Sequence, residues 1–457
     1  MTPFEYAQSH GEAFVEELKS FLRIPSVSTD PAYREGIRRA AGMLRQRLLE
    51  AGFERAEIIP TEGHPVVYAE WMAAGEEAPT VLVYGHYDVQ PPDPLELWET
   101  PPFEPTVRGD YLYARGVADD KGQLYTHLKA AEACYRTRGR PPVNLKCLFE
   151  GEEEIGSVHL EPFIREHRDL LAADVAVISD SHILRPDLPA ILYGLRGLAY
   201  VEITVSGPAH DLHSGSYGGA VHNPLHALAA MIAALHDEEG RITVPGFYDK
   251  VRPLTEEERE ELARIPFDRE AWLKETGVPT DWGEPGYTII ERTSARPTLD
   301  LNGMWGGYTG EGAKTIIPAR AHAKISMRLV PDQEPEEIAR LLLDYLQAIA
   351  PPTVRVEGRV LHGAPPALIE RHSPAMEAAS RAYEFGFGKR PVLMREGGSI
   401  PVVTTFQQEL GLQPVLMGFG LPDDGIHAPN ERFYLPNFYR GIQTVLAFWE
   451  ALADSKA

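Results

Sequence analysis

A histidine and an aspartate two residues apart, His86 and Asp88, follow directly on the apolar run Val81–Tyr84 and a glycine. A short apolar run bounded by turn residues reads as a buried strand. Alternate side chains of a strand share a face, so His86 and Asp88 project together from its carboxyl end. Open α/β sheets place their sites at that end. A neutral imidazole suits a transition metal, and a carboxylate two residues on can orient the ring from behind. A strand ending in two solvated polar residues gives the same pattern, so this pair alone decides nothing.

Four further stretches carry the same kind of chemistry. Asp119 and Asp120, in Arg115-Gly-Val-Ala-Asp-Asp-Lys-Gly122, open a helix, where a carboxylate equally serves as an N-cap. Glu153 and Glu154, in Phe149-Glu-Gly-Glu-Glu-Glu-Ile-Gly156, end an apolar run and lie between glycines. Three glutamates in a row also suit a solvated face. Asp180 closes Val177-Ile-Ser, and His427 lies in the glycine- and proline-bounded Asp423-Asp-Gly-Ile-His-Ala-Pro-Asn-Glu431. Together His86, Asp119, Glu154, Asp180 and His427 are expected at the carboxyl ends of separate strands. Five such ligands can hold two divalent ions about 3.5–4 Å apart, with one carboxylate shared. One more carboxylate is then needed as general base, and Glu153, beside Glu154, suits that role.

The elements that must position these residues follow from periodicity. Strands are expected at 57–60, 65–71, 80–85, 143–149 and 175–178. Helices are expected at 3–23, 33–51, 121–138 and 158–171. Strands alternating with helices predict an α/β fold with a mainly parallel sheet flanked by helices. The rhythm changes after Gly194. Half-exposed strands at 199–206 and 321–329, helices at 223–238 and 335–348, and a Pro-, Gly- and charge-rich insertion at 241–310 predict an inserted α+β domain. The first pattern resumes with a helix at 374–385, an apolar run at 402–406, a strand at 414–418 and a closing helix at 437–452. The expected division is therefore 1–195 and 366–457 for the first domain and 196–365 for the second.

Composition narrows the classes. Of 457 residues, 44 are Lys or Arg and 67 are Asp or Glu, a formal charge of −23. Nucleic acid and anionic membranes require a basic surface, so neither is an expected partner. A local site can still oppose the global sign. The two cysteines, Cys134 and Cys147, lie in apolar patterns and read as core residues, not a disulfide framework. No apolar signal segment opens the chain and no run is long enough to span a membrane, so a cytoplasmic protein is expected.

The motifs as a set resemble the M20 family of metallopeptidases, especially its dipeptidase and carnosinase-like branch. They are Gly85-His-Tyr-Asp-Val-Gln-Pro91, Leu112-Tyr-Ala-Arg-Gly116, Ala118-Asp-Asp-Lys-Gly122, Glu150-Gly-Glu-Glu-Glu-Ile-Gly-Ser157, His213-Ser-Gly215, Glu396-Gly-Gly-Ser-Ile-Pro401 and Asp423-Asp-Gly-Ile-His427. The resemblance implies two divalent ions, zinc first and manganese or cobalt as substitutes. His86 would bind one ion and His427 the other, with Asp119 bridging. Glu154 and Asp180 would complete the shells. Asp88 would steady His86, and Glu153 would be the base of a metal-bridged hydroxide that cleaves dipeptides or short peptides. The inserted domain would act as lid and make a homodimer, with His213 stabilising the oxyanion in the partner subunit's site. Thr315, Arg328 and Ser399 match positions that grip the substrate. The resemblance also implies a cis peptide between Asp119 and Asp120. From the residues alone, His213 reads as well as a turn residue and Arg328 as a surface charge. An N-acyl amino acid deacylase of the same family, desuccinylase-like, is the alternative activity. A non-catalytic binding protein on this scaffold is the other, and the presence of Glu153 and of every ligand counts against it.

Overall fold

The computed structural model describes residues 1–398 and 400–455. The chain forms two compact units. One comprises Met1–Tyr193, Ile369–Met394 and the chain from Pro401 onward, and the other Gly194–Leu368 with Arg395–Ile400.

The first unit is built on a twisted sheet. The neighbouring strands run in the order Arg55–Ile59, Val66–Trp71, Asn144–Glu150, Thr80–His86, Val175–Ile178, Pro414–Leu416 and Ala190–Leu195. The four central strands are parallel to one another, and the outer ones pair antiparallel. The α/β fold with a mainly parallel core is thus the one expected. Thr80–His86 and Val175–Ile178 have no exposed residue, and their near-continuous apolar character is what a sheet covered on both faces requires. Register matters for the site. His86 lies opposite Glu150, so those two strands end at one level, and Val175–Ile178, with Ile178 opposite Tyr84, ends two residues short of it. The residues that follow them leave the sheet side by side.

The helix Lys121–Arg138 is buried on nearly every side. A helix so enclosed needs partners for its charged residues. Lys121 Nζ donates to the carbonyl of Ile24 at 2.8 Å, and Lys129 Nζ meets Glu17 at 2.6 Å and Glu132 at 2.7 Å. A small separate sheet, Thr106–Arg108, Tyr111–Tyr113 and Arg432–Tyr434, ties the end of the chain to the approach to this helix.

Several expectations need correction. The strands Ala190–Leu195, Thr298–Gly306, Arg355–Ala364 and Val392–Glu396 were not expected as strands. The apolar run at 402–406 is not part of the sheet pattern. It is the helix Pro401–Thr405, which continues as a π-helical turn, Phe406–Leu410. The first helix is two, Pro3–Ser9 and Gly11–Leu22, broken at His10.

The second unit is α+β. Its antiparallel sheet runs Thr298–Gly306, Arg320–Leu329, Gly197–Ser206, Arg355–Ala364. Alternate residues Ala199, Val201, Ile203 and Val205, with Ala321, Ala323, Ile325 and Met327, form one buried face. Ala227, Leu228 and Met231 of Pro224–Ala233, and Ile338, Leu342 and Leu346 of Pro335–Ile349, join that core. The 241–310 stretch supplies three short helices and an edge strand.

Candidate metal centre

His86 is the last residue of its strand and is fully buried. Its Nε2 lies 3.0 Å from Asp119 Oδ1 and 3.9 Å from Asp180 Oδ2. The other oxygen of Asp119, Oδ2, lies 2.8 Å from His427 Nε2, which is itself 3.2 Å from Glu154 Oε2. Two trios of ligand atoms result, His86–Asp119–Asp180 and Asp119–Glu154–His427, each within 4.8 Å of one another. Asp119 belongs to both and turns one oxygen to each.

Not every ligand sits at the end of a sheet strand. His86 does, and Asp180 and Glu154 follow two of its neighbours by a few residues. Asp119 and His427 lie instead in loops attached to the small three-stranded sheet. Pairing of Arg432 with Tyr113, and an N–H from Ala114 to the Glu431 carbonyl at 3.1 Å, bring these loops together. His427 and Asn430 both adopt left-handed backbone, with φ of 60° and 63°. Non-glycine residues seldom do so, and here it turns the loop tightly. Asn430 anchors it by accepting from Glu99 N and donating to the Leu97 carbonyl, both at 2.8 Å. The Asp119–Asp120 peptide bond is cis.

The supporting contacts are dense. Asp88, fully buried, has Oδ1 3.3 Å from His86 Nδ1 and accepts the N–H groups of Glu153 at 3.3 Å and Glu154 at 3.1 Å. It therefore holds both the imidazole and the turn carrying the two glutamates. Asp120 makes no helix-capping bond with its side chain, and its Oδ2 instead accepts the His86 N–H at 3.2 Å. Gln90 donates to Glu154 Oε2 at 2.8 Å. Glu431, fully buried, accepts from Arg115 at 2.7 Å and from the backbone of Gly116, Ala118 and Asp119 at 2.8, 2.8 and 3.2 Å. Gln90 and Glu431 were not singled out from the sequence, although both lie inside the quoted motifs. Only their contacts distinguish them.

The electrostatics fit a pair of cations. Burial and the neighbouring carboxylates push Asp180 up to about 7, against the pull of His86. Burial raises Glu153 well above the ordinary range, helped by Asp180, Asp119 and Glu154 and opposed by His86. Bonds from Asp119 and Glu154 lift His427 to about 10. Burial disfavours a charged His86, but Asp119 and Asp88 outweigh it and raise its pKa. Burial also works against an ionised Asp119, yet the two imidazoles hold its carboxyl below the usual range. Crowding and burial thus raise Asp180 and Glu153, and divalent ions would oppose that rise with positive charge. Imidazole and carboxylate donors suit zinc, manganese or cobalt.

His213 and Thr315 lie in the second unit and meet there. Leu212–His213 pairs with Ile316–Ile317, and Ser214 N donates to the Thr315 carbonyl at 3.0 Å. Both side chains are exposed, and His213 Nδ1 accepts the Gly215 N–H at 2.9 Å. Arg328 lies on Arg320–Leu329, half-buried and beside Thr298 of the next strand. Ser399 lies outside the described residues.

Comparison with known proteins accords with this geometry. The Cys-Gly metallodipeptidase DUG1 of Saccharomyces cerevisiae is 32% identical over 99% of this chain and 98% of its own. The crystal structure of human carnosine dipeptidase 1 superposes with a TM-score of 0.78 at 32% identity, covering 99% of this chain and 98% of that one. The M20 family metallo-carboxypeptidase Sso-CP2 from Sulfolobus solfataricus gives a TM-score of 0.80 at 35% identity, over 96% and 99%. The profile of Peptidase family M20/M25/M40 matches residues 82–451, and the chain belongs to that family.

Proposed function

We propose that the protein is a two-metal dipeptidase that hydrolyses the amide bond of dipeptides or short peptides. The observation that carries this reading is Asp119, shared between two trios of ligand atoms with one oxygen turned to each. His86 with Asp180 would hold one ion, and His427 with Glu154 the other. Bound there, two zinc ions polarise the amide carbonyl and make water a stronger acid.

The chain's own groups do the rest. Glu153, whose buried setting already favours proton uptake, takes a proton from the attacking water and passes it to the leaving amine. Asp88 keeps the His86 ring and the Glu153 turn in place. His213 donates to the carbonyl oxygen as charge develops there, acting in the partner subunit of a homodimer made by the second unit as lid. Thr315, Arg328 and Ser399 grip the peptide backbone and its terminal carboxylate. Two free, buried cysteines fit a reducing compartment, and the cytoplasm is the proposed location. Among the described residues no helix is long and apolar enough to cross a membrane.

Named relatives support a peptide substrate over an N-acyl amino acid. The likeness to a carboxypeptidase favours a second reading, removal of C-terminal residues from longer peptides. A panel of dipeptides, tri- to pentapeptides and N-succinyl amino acids, assayed with the zinc-loaded protein, tests all three. Preference for dipeptides is expected, and cleavage of the N-succinyl compounds alone would overturn the reading.

A further inference from the structure

Of the three consecutive glutamates, Glu152 is the one to which the proposed hydrolysis gives no part. It is buried, and it stands at the N-cap of the short helical turn Glu153–Ile155. Its side chain caps nothing there. Both carboxylate oxygens are engaged outside the turn instead. Oε1 accepts the His64 N–H at 3.0 Å, and Oε2 lies 2.8 Å from His159 Nδ1. A carboxylate accepts and does not donate, so His159 presents Nδ1–H.

The His64 end is itself fixed. Thr61 Oγ1 donates to the His64 carbonyl at 2.7 Å and accepts the Gly63 N–H at 3.0 Å, and His64 Nε2 lies 3.3 Å from the Ser28 carbonyl. The next residue, Pro65, accepts from the hydroxyl of Tyr87, which stands in the chain between His86 and Asp88. The loop 61–65 thus bonds both to the strand end that carries His86 and to the residue just before Glu153. Gly63 makes room for this, since a Cβ there would lie 1.8 Å from Glu152 Oε1 and 2.5 Å from His159 Nδ1. Its backbone is not left-handed, so clearance is what requires glycine.

The other two glutamates differ in what holds them. The Glu154 carboxylate has the Gln90 amide at 2.8 Å and His427 Nε2 at 3.2 Å. The Glu153 carboxylate has no hydrogen bond to any described residue, so its backbone alone fixes it. Asp88 accepts the Glu153 N–H at 3.3 Å, which is long for an N–H···O bond. Beyond the turn, the hydroxyl of Ser157 donates to Glu150 at 2.8 Å. The near end depends on Glu152, one peptide bond from Glu153 and with the shorter contacts.

We propose that Glu152 is a positioning residue, which holds the general base Glu153 in place through its bonds to His64 and His159. This role rests on the hydrolase reading, with Glu153 as the base. A reacting group misplaced by about 1 Å can lose about a hundredfold in rate. Glu154 has anchors of its own. The signature is therefore a fall in kcat with metal binding and KM retained.

The test compares wild type, Glu152→Ala, Glu152→Gln and Gly63→Ala, all zinc-loaded and full length, on a dipeptide the wild type cleaves. Glu152→Ala should lose about 10–100-fold in kcat, with KM and the zinc count unchanged. Glu152→Gln should recover to within about threefold of wild type, because its amide oxygen accepts from His64 and its NH2 donates to the other tautomer of His159. Gly63→Ala should match Glu152→Ala with the carboxylate still present, since the added methyl displaces it. Undiminished kcat in folded Glu152→Ala or Gly63→Ala would overturn the proposal. Loss of zinc in step with kcat would also overturn it, by making Glu152 a support for Glu154.

Amide hydrogen exchange over residues 153–157 decides the same point without turnover, because each of these N–H groups is hydrogen-bonded. Exchange at least about tenfold faster in Glu152→Ala is expected, and rates equal to wild type would overturn the proposal. If Glu152→Ala does not fold, Gly63→Ala carries both readouts. If no dipeptide is cleaved, or Glu153→Ala keeps its turnover, the hydrolase reading fails on its own, and the exchange rates still show whether Glu152 holds the turn.

Discussion

Glu431 accepts the backbone N–H of Asp119 at 3.2 Å from a position four residues beyond His427. One buried carboxylate thus joins the loop carrying the shared ligand to the loop carrying a terminal one. Glu431→Gln would turn amide hydrogens toward donors and leave Arg115 with a weakened partner. Breaking such a pair costs about 3–5 kcal/mol. The variant should fall in melting temperature and bind zinc at least about tenfold more weakly in chelator competition. Unaltered zinc affinity would leave Glu431 a scaffold residue only.

Glu153→Ala should keep both metals, counted by atomic emission, and lose turnover by about 10²–10⁴-fold, the range a positioned acid–base group contributes. Near-normal turnover would remove Glu153 from the reaction.

Chelation should abolish hydrolysis, and zinc, manganese or cobalt should restore it. Ions that bind the folded state alone also stabilise it, by about 4 kcal/mol at a thousandfold excess over Kd. The metal-free protein should therefore melt earlier, and activity indifferent to thorough metal removal would contradict the centre.

Mixing two inactive variants tests the dimer. If His213 serves the partner subunit, Glu153→Ala mixed with His213→Ala gives heterodimers with one complete site. With free subunit exchange about a quarter of wild-type activity should return. If His213 serves its own chain, the mixture stays inactive.

His127 predicts a pH dependence apart from the metals. Its Nε2 is 2.7 Å from Ser179 Oγ, its Nδ1 is buried without a partner, and burial lowers its pKa from 6.5 to about 3. Between those values the unfolded chain binds the proton and the folded one does not. Stability from this residue is therefore complete above about pH 6.5 and falls with acidification, by up to about 1.4 kcal/mol per pH unit. Urea unfolding at pH 7, 6 and 5 should show a gentler decline in His127→Gln than in the wild type.

The groups with the strongest local signals were legible in the sequence. His86, Asp180 and the Glu153–Glu154 pair follow apolar runs that read as buried strands, and on that reading their side chains emerge at one end of the sheet. Asp119 and His427 were found from their neighbours, although the loops that bear them hang on a different sheet. Arg355–Ala364 escaped because it is an edge strand, exposed along most of its length and without clean alternation. The run at 402–406 misled because a short buried helix and a short buried strand have the same composition. Glu431 was invisible as anything but one more acid. Its meaning depends on donors more than 310 residues away, which no local pattern encodes.

That separation governs when the centre can exist. His86, Asp119 and Asp180 have all left the ribosome before the second unit is made, whereas His427 emerges 308 residues after Asp119. The first trio is complete once Asp180 is made, and synthesis at 5–20 residues per second then leaves the nascent chain with half a centre for roughly 12–50 seconds until His427 follows. On the two-metal reading, a cation captured in that interval would have only the first trio to hold it, and the second trio would wait for His427.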